Sequence, residues 1–121
     1  MQMVVHSYKD LIVWQKAIEL VKKIYSITKN FPDEEKFGLA SQVRRSAVSI
    51  PSNISEGRSR GSKKDFIRFL YIAKGSLSEL ETQILISLEL RFIKKEDTQN
   101  IESLITEVNK MLSSMISKLK A

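Results

Sequence analysis

The chain has 121 residues, no cysteine and one histidine, and its 20 Lys and Arg residues exceed its 14 Asp and Glu residues. This length suits a single domain, residues 1–121, and the lack of cysteine excludes disulfides and thiolate metal sites. The first ten residues lack the basic and apolar regions of a secretory signal, and no uncharged run is long enough to cross a bilayer. We therefore expect a cytoplasmic protein that does not enter a membrane.

The first predicted helix begins near Ser7, where Ser-Tyr-Lys-Asp has the form of a capping box with a shortened acid. It ends before Phe31-Pro32, because a residue that precedes proline avoids the α region. Its apolar residues form two helical rows, which indicates packing against more than one neighbour. One row is Leu11, Trp14, Ile18, Val21, Tyr25 and Thr28, and the other is Val13, Ala17, Leu20, Ile24 and Ile27.

The second helix is predicted to begin between Asp33 and Leu39 and to continue through Pro51. Its apolar row keeps helical spacing on both sides of the proline, which a linker would have no reason to do. Proline removes a backbone donor and clashes with the preceding turn, so we expect a kink near Pro51. Gly57 is predicted to end the helix, with residues 58–61 as the turn. The apolar row is Leu39, Val43, Ala47, Ile50 and Ile54.

The third helix is predicted to begin after Ser62, whose hydroxyl precedes Asp65 by three positions as in an N-terminal cap. The fourth begins between Lys94 and Asp97, and the methionines in its row are expected to fill the core. Four long helices with short connections predict an all-α, antiparallel up-down-up-down four-helix bundle. The third apolar row is Phe66, Leu70, Ala73, Leu77, Leu80, Ile84 and Leu88. The fourth is Ile101, Leu104, Val108, Met111 and Met115, widened by Ile105, Leu112, Ile116 and Leu119.

A row of small and amide side chains lies beside the apolar row of the second helix, and a shorter row of this kind lies on the third. Two such rows predict a packed polar interface, with hydrogen-bonded partners within a chain or between chains. The alternative is an ordinary solvated face. The candidate packing or interface residues are Gln42, Arg45, Asn53, Glu56 and Glu79.

The excess positive charge is concentrated in residues 44–74. This segment has eight basic and two acidic residues, so it carries the whole net charge of +6, and the rest of the chain is neutral. A local basic excess attracts polyanions such as nucleic acid or anionic lipid. The alternative is a solvated surface that keeps the protein soluble.

No group of residues in the chain is suited to catalysis. His6, the single histidine, lies in the N-terminal segment, so we expect no Ser-His pair. Glu79 and Glu81 point in different directions on a helix, and the Glu-x-x-His motif of di-iron bundles is absent. The glycine-rich phosphate-binding motifs are absent too. We expect no enzyme activity, no metal and no cofactor.

Three blocks of the sequence together resemble one protein family. They are DLIVWQKAIEL at 10–20, FPDEEKFGLASQVRRSAVSIPSNISEG at 31–57 and FLYIAKGSLSELETQI at 69–84. The blocks are similar to the four-helix-bundle proteins encoded in intervening sequences of 23S ribosomal RNA, some of which are named ribosomal protein S23. The resemblance covers nearly the whole chain, and Ser55 stands where the family commonly has alanine.

The resemblance implies a bundle that assembles into a ring, typically a homopentamer, without established enzyme activity. One hypothesis is an oligomer that binds RNA or DNA non-specifically, since neither a recognition-helix motif nor an aromatic stacking platform is evident. The other is a ring-forming scaffold with an unknown protein partner and no nucleic-acid ligand. The candidate nucleic-acid-binding residues are Arg58, Arg60, Lys63, Lys64 and Arg68, with Arg44 as a secondary candidate.

Overall fold

A computed structural model describes residues 7–121, which form four α-helices and two short 3₁₀ turns and contain no strand. The helices are α1 (Ile12–Thr28), α2 (Leu39–Ser59), α3 (Lys63–Glu89) and α4 (Lys95–Lys120). The 3₁₀ turns, Tyr8–Asp10 and Asp33–Glu35, precede α1 and α2. The predicted all-α four-helix bundle is confirmed.

The four helices surround one apolar core, and each contacts two neighbours. α1 and α3 both pack directly against α2 and α4, and within residues 7–121 the helices of each diagonal pair lie across the core from each other. α2 and α3 run antiparallel, because later residues of α2 meet earlier residues of α3. Ser46 bonds to Glu79, and Ser49 bonds to Ser76. At the end of the bundle where α2 stops and α3 starts, α4 also ends, and the turn before α1 packs there against α2.

Of the two apolar rows of α1, the structure buries the second in the core. Most of the first row, including Trp14, is only half-buried in a groove against α2. There the ring of Tyr8 packs edge-on against Trp14, with the ring centroids 5.4 Å apart. Both rows have helical spacing, so the positions of α2 and α4 decide which row faces the core. The buried row is Val13, Ala17, Leu20 and Ile24.

The core row of α4 differs from the predicted one. Met111 and Met115 are half-buried at the edge of the core and do not fill its centre. Apolar residues in α4 occupy several adjacent helical rows, so spacing alone does not identify the central one. The central positions are Ile101, Leu104, Ile105, Val108, Leu112 and Ile116.

Both predicted serine caps are present, but only one of them begins a long helix. Ser7 accepts a bond from the backbone N–H of Lys9 and completes a capping box with Asp10, which caps the first 3₁₀ turn. Leu11 has extended backbone and separates that turn from α1. Ser62 Oγ accepts a bond of 3.1 Å from the N–H of Asp65 and begins α3 as predicted.

α2 continues through Pro51, which is buried, as the spacing of its apolar row predicts. Ser49 lies within one turn of the proline, Ser46 lies more than one turn before it, and both hydroxyls bond to side chains of α3. These two serines therefore join α2 to α3. The kink near Pro51 stays a prediction.

The prediction that Gly57 ends α2 is wrong. α2 continues to Ser59, and the glycine in the left-handed region is Gly61, with a φ of 82°. Gly57 is buried, and a Cβ atom there would lie 2.6 Å from the Cβ of Phe69. The absence of a side chain therefore permits the close approach of α2 and α3. A glycine near the end of an apolar row resembles a helix terminus in sequence. Its actual role depends on Phe69, which lies on another helix and cannot be inferred from the residues around Gly57.

An exposed ion pair joins α1 to α4. Lys16 Nζ lies 3.1 Å from Glu107 Oε1 and 4.0 Å from Glu19 Oε2. The hydrogen bond and the charge of Glu107, followed by the charge of Glu19, raise the pKa of Lys16 above its usual value. The pair therefore links the first turns of α1 to α4.

Candidate nucleic-acid interface

The positive charge of the chain gathers at one end of the bundle. This basic end consists of residues 7–11, 56–74 and 113–121, which the fold brings together. It contains nine basic and three acidic residues, so it accounts for the whole formal net charge of +6. Lys118 and Lys120 at the end of α4 join it. The sequence prediction missed these two lysines because they lie far along the chain from the α2–α3 turn.

Two arginines of the basic end pack over one aromatic ring. The guanidinium carbons of Arg60 and Arg68 lie 5.1 Å and 4.5 Å from the ring centroid of Phe69. Phe69 is itself buried next to Gly57, so the close approach of α2 and α3 fixes the platform under both arginines. Such cation–π contacts orient the guanidinium groups without removing their hydrogen-bond donors.

The same two arginines each have an acidic neighbour on their own helix turn. Arg60 lies 3.6 Å from Glu56 and Arg68 lies 3.6 Å from Asp65. These side chains are largely exposed, so each pair contributes little to stability, about 0.2–1 kcal/mol. One carboxylate leaves several of the five guanidinium N–H donors available for phosphate oxygens.

Lys63 and Lys64 are exposed in the first turn of α3 and have no acidic partner among the described ion pairs. The N-terminus of a helix has a partial positive charge, which adds to that of the two ammonium groups. Arg58 is half-buried in the last turn of α2. These residues surround the turn at 60–62 and form the centre of the basic end.

Arg44 does not lie with the other candidates. It is about four turns before Arg58, roughly 21 Å along α2. Its Nε donates a bond of 2.7 Å to Thr28 Oγ1, and its guanidinium carbon lies 4.6 Å from the ring centroid of Tyr25. Thr28 in turn donates to the carbonyl of Ile24. Arg44 therefore links α2 to the C-terminal turn of α1.

A polar seam runs between α2 and α3 and includes part of the predicted interface row. Glu79 Oε1 accepts bonds from Ser46 Oγ at 2.9 Å and from Gln83 Nε2 at 3.3 Å. Asn53 Nδ2 donates to the backbone oxygen of Ser49 at 2.8 Å. The members of the polar seam are Ser46, Ser49, Asn53, Ser76, Glu79 and Gln83.

The remaining members of the predicted interface row lie apart from the polar seam. Glu56 belongs to the basic end through its pair with Arg60, and Gln42 and Arg45 are exposed. Their participation in a contact between chains stays a prediction. The predicted interface row did not include Ser46, because its helical position places it on the buried face of α2.

The described part of the chain shows neither a metal centre nor a transmembrane helix. No group of three or more metal-ligating side chains occurs within residues 7–121. None of the helices in that range has the length and apolar character needed to cross a bilayer. His6 lies outside the described residues.

The comparisons with known proteins agree with the fold and the sequence blocks. The family model described as 23S rRNA-intervening sequence protein matches residues 9–114. A crystal structure from Bacteroides thetaiotaomicron, of a protein of unknown function from the S23 ribosomal protein family, is 31% identical with a TM-score of 0.80. The match covers 87% of this chain and 98% of that one. No curated protein has a significantly similar sequence. The chain belongs to the 23S rRNA-intervening sequence protein family.

Proposed function

We propose that this chain is a non-enzymatic, oligomeric four-helix bundle that binds RNA through the phosphate backbone. The observation that supports this proposal is the concentration of the whole net charge of +6 at the basic end. A one-sided basic surface attracts a polyanion and accelerates its encounter with the protein. Oligomerisation would place several such surfaces in one particle and strengthen the attraction further.

The proposed contacts do not distinguish one RNA sequence from another. Lysine and arginine bind phosphate oxygens, which are the same at every nucleotide. The central contacts would come from Lys63 and Lys64, which have no acidic partner among the described ion pairs, and from Arg58, Arg60 and Arg68. The family description refers to ribosomal RNA, which makes RNA the first polyanion to test.

Fluorescence anisotropy with a labelled single-stranded RNA tests the proposal directly. If about five cations contact phosphates, log K should fall against log salt concentration with a slope near −3.5, since each contact contributes about 0.7. Binding should therefore weaken by about a hundredfold between about 50 mM and about 200 mM salt. An RNA that stays unbound at the lower salt concentration would contradict the proposal.

A second candidate function is a ring-forming scaffold that presents a surface to a protein partner. It is favoured by three apolar side chains on the outer face of α3 near its C-terminal end, Leu85, Ile86 and Leu90, which are 43% to 54% exposed. Clustered exposed apolar residues are typical of contacts between proteins. The mass in solution tests the oligomer that both functions assume, because a particle with the mass of one chain contradicts any ring.

A further inference from the structure

An open groove lies between α3 and α4 within the basic end. Its volume is about 460 Å³, and its lining includes Tyr71, Lys74, Ser113, Ser117 and Lys120. This volume lies within the range of about 300–1,000 Å³ that is usual for ligand sites. Ile116 and Ala121, the last residue, complete the lining, which contains no Asp or Glu side chain. We call this feature the α3–α4 groove.

Hydroxyl groups hold both lysines of the α3–α4 groove in place. Lys74 Nζ donates to Ser113 Oγ at 2.8 Å, and Lys120 Nζ donates to Tyr71 Oη at 3.2 Å. An ammonium group has three donors, so each lysine keeps donors for a further acceptor. A neutral hydroxyl leaves the positive charge uncompensated, and neither lysine belongs to an ion pair among the described residues. The groove therefore holds two oriented charges that favour an anion.

Tyr71 adds an aromatic surface beside these charges. Its side chain is 48% exposed, and Lys120 Nζ lies 5.6 Å from its ring centroid. An exposed aromatic ring next to phosphate-binding cations is the combination with which proteins bind single-stranded nucleic acid. In such sites a base stacks on the aromatic ring while an adjacent phosphate contacts the cation.

We propose that the α3–α4 groove binds single-stranded RNA, with an unpaired base stacked on Tyr71 and the flanking phosphates held by Lys74 and Lys120. This inference rests on the proposed function and names its substrate class. Lys64, Arg68, Tyr71 and Lys74 follow one another at spacings of three and four along one side of α3, over about 15 Å. The groove and the cations around the turn at 60–62 thus form one continuous basic surface along α3. Double-stranded RNA keeps its bases paired and cannot stack one on Tyr71.

The test compares variants of the full chain in anisotropy titrations with a single-stranded RNA and an RNA duplex. Tyr71→Ala should weaken single-strand binding by about tenfold and duplex binding much less, whereas Tyr71→Phe keeps the ring and should retain most of the single-strand affinity. Lys74→Gln with Lys120→Gln should lower the salt slope on the single strand by about 1.4. Tyr71 is half-exposed, so we expect its substitution to preserve the fold. Circular dichroism checks the fold of each variant.

Two lysines at the opposite end of the bundle provide the matched control. Lys94→Gln with Lys95→Gln removes the same charge and should change neither affinity nor slope. If the wild type binds RNA and the groove variants bind equally well, the α3–α4 groove is not the site, although the proposed function stands. A wild type that binds no RNA overturns the proposed function itself. Equal losses on single strand and duplex with Tyr71→Ala would overturn the stacking contact.

Discussion

Replacing Gly57 with alanine tests whether α2 and α3 pack as closely as the structure shows. A Cβ atom at this position would meet the Cβ of Phe69 at 2.6 Å and Phe66 Cδ1 at 3.3 Å. The Cβ of Phe69 is bonded to the backbone of α3, so it cannot rotate away and the helices must separate. Overpacking of this kind costs about 1–3 kcal/mol, and alanine regains about 1 kcal/mol of helix propensity. The difference gives a net destabilisation of about 0–2 kcal/mol.

Gly75 provides a matched control for this substitution. It is exposed inside α3, and an added Cβ would meet no atom within 4 Å. Gly75→Ala should therefore stabilise the protein by up to about 1 kcal/mol. Urea denaturation at one fixed protein concentration measures both variants, with equal m-values as the check on two-state unfolding. If Gly57→Ala stabilised the protein as much as Gly75→Ala does, the close approach of α2 and α3 would be refuted.

Three further predictions concern the polar seam, the α1–α4 ion pair and the outer face of α3. In a double-mutant cycle, Ser46→Ala and Glu79→Ala should show a coupling of about 1 kcal/mol in unfolding free energy, and additive losses would contradict their hydrogen bond. Glu107→Gln removes the partner that raises the pKa of Lys16. The stability that this ion pair contributes is fully present below the pKa of lysine in the unfolded chain, and it is lost as the pH rises through the higher pKa of Lys16 in the folded chain. Denaturation curves of wild type and variant should converge in alkaline solution, and a constant difference would argue against the pair. Ile86→Glu should lower the mass from light scattering to that of one chain, and an unchanged mass would exclude this face as the subunit contact.

Local sequence signals predicted the helices well because each signal is complete within a few residues. The Ser62 cap needs only Asp65, and the continuity of α2 needs only apolar spacing across Pro51. The role of Gly57 was misassigned because it depends on Phe69, which another helix supplies. The two apolar rows of α1 presented the same difficulty, since only the packed neighbours decide which row is buried.

The candidate site was predicted in part for a related reason. The basic segment around the α2–α3 turn is visible as a run of charges, so Lys63 and Lys64 were named as candidates from sequence alone. Lys120 reaches the same surface only through the antiparallel packing of α4 on α3, where it meets Tyr71. Arg44 belongs to the same charge-rich segment of sequence, yet the length of α2 places it at the far end of the helix.

The most direct test of the central claim compares two adjacent lysine pairs that begin two different helices. Lys63 and Lys64 lie at the basic end, whereas Lys94 and Lys95 lie at the opposite end, and all four are exposed. Changing the first pair to glutamine should weaken RNA binding by about tenfold and lower the salt slope by about 1.4, while the second pair should leave both unchanged. Equal effects of the two pairs, or no effect of either, would contradict an RNA-binding surface at the basic end.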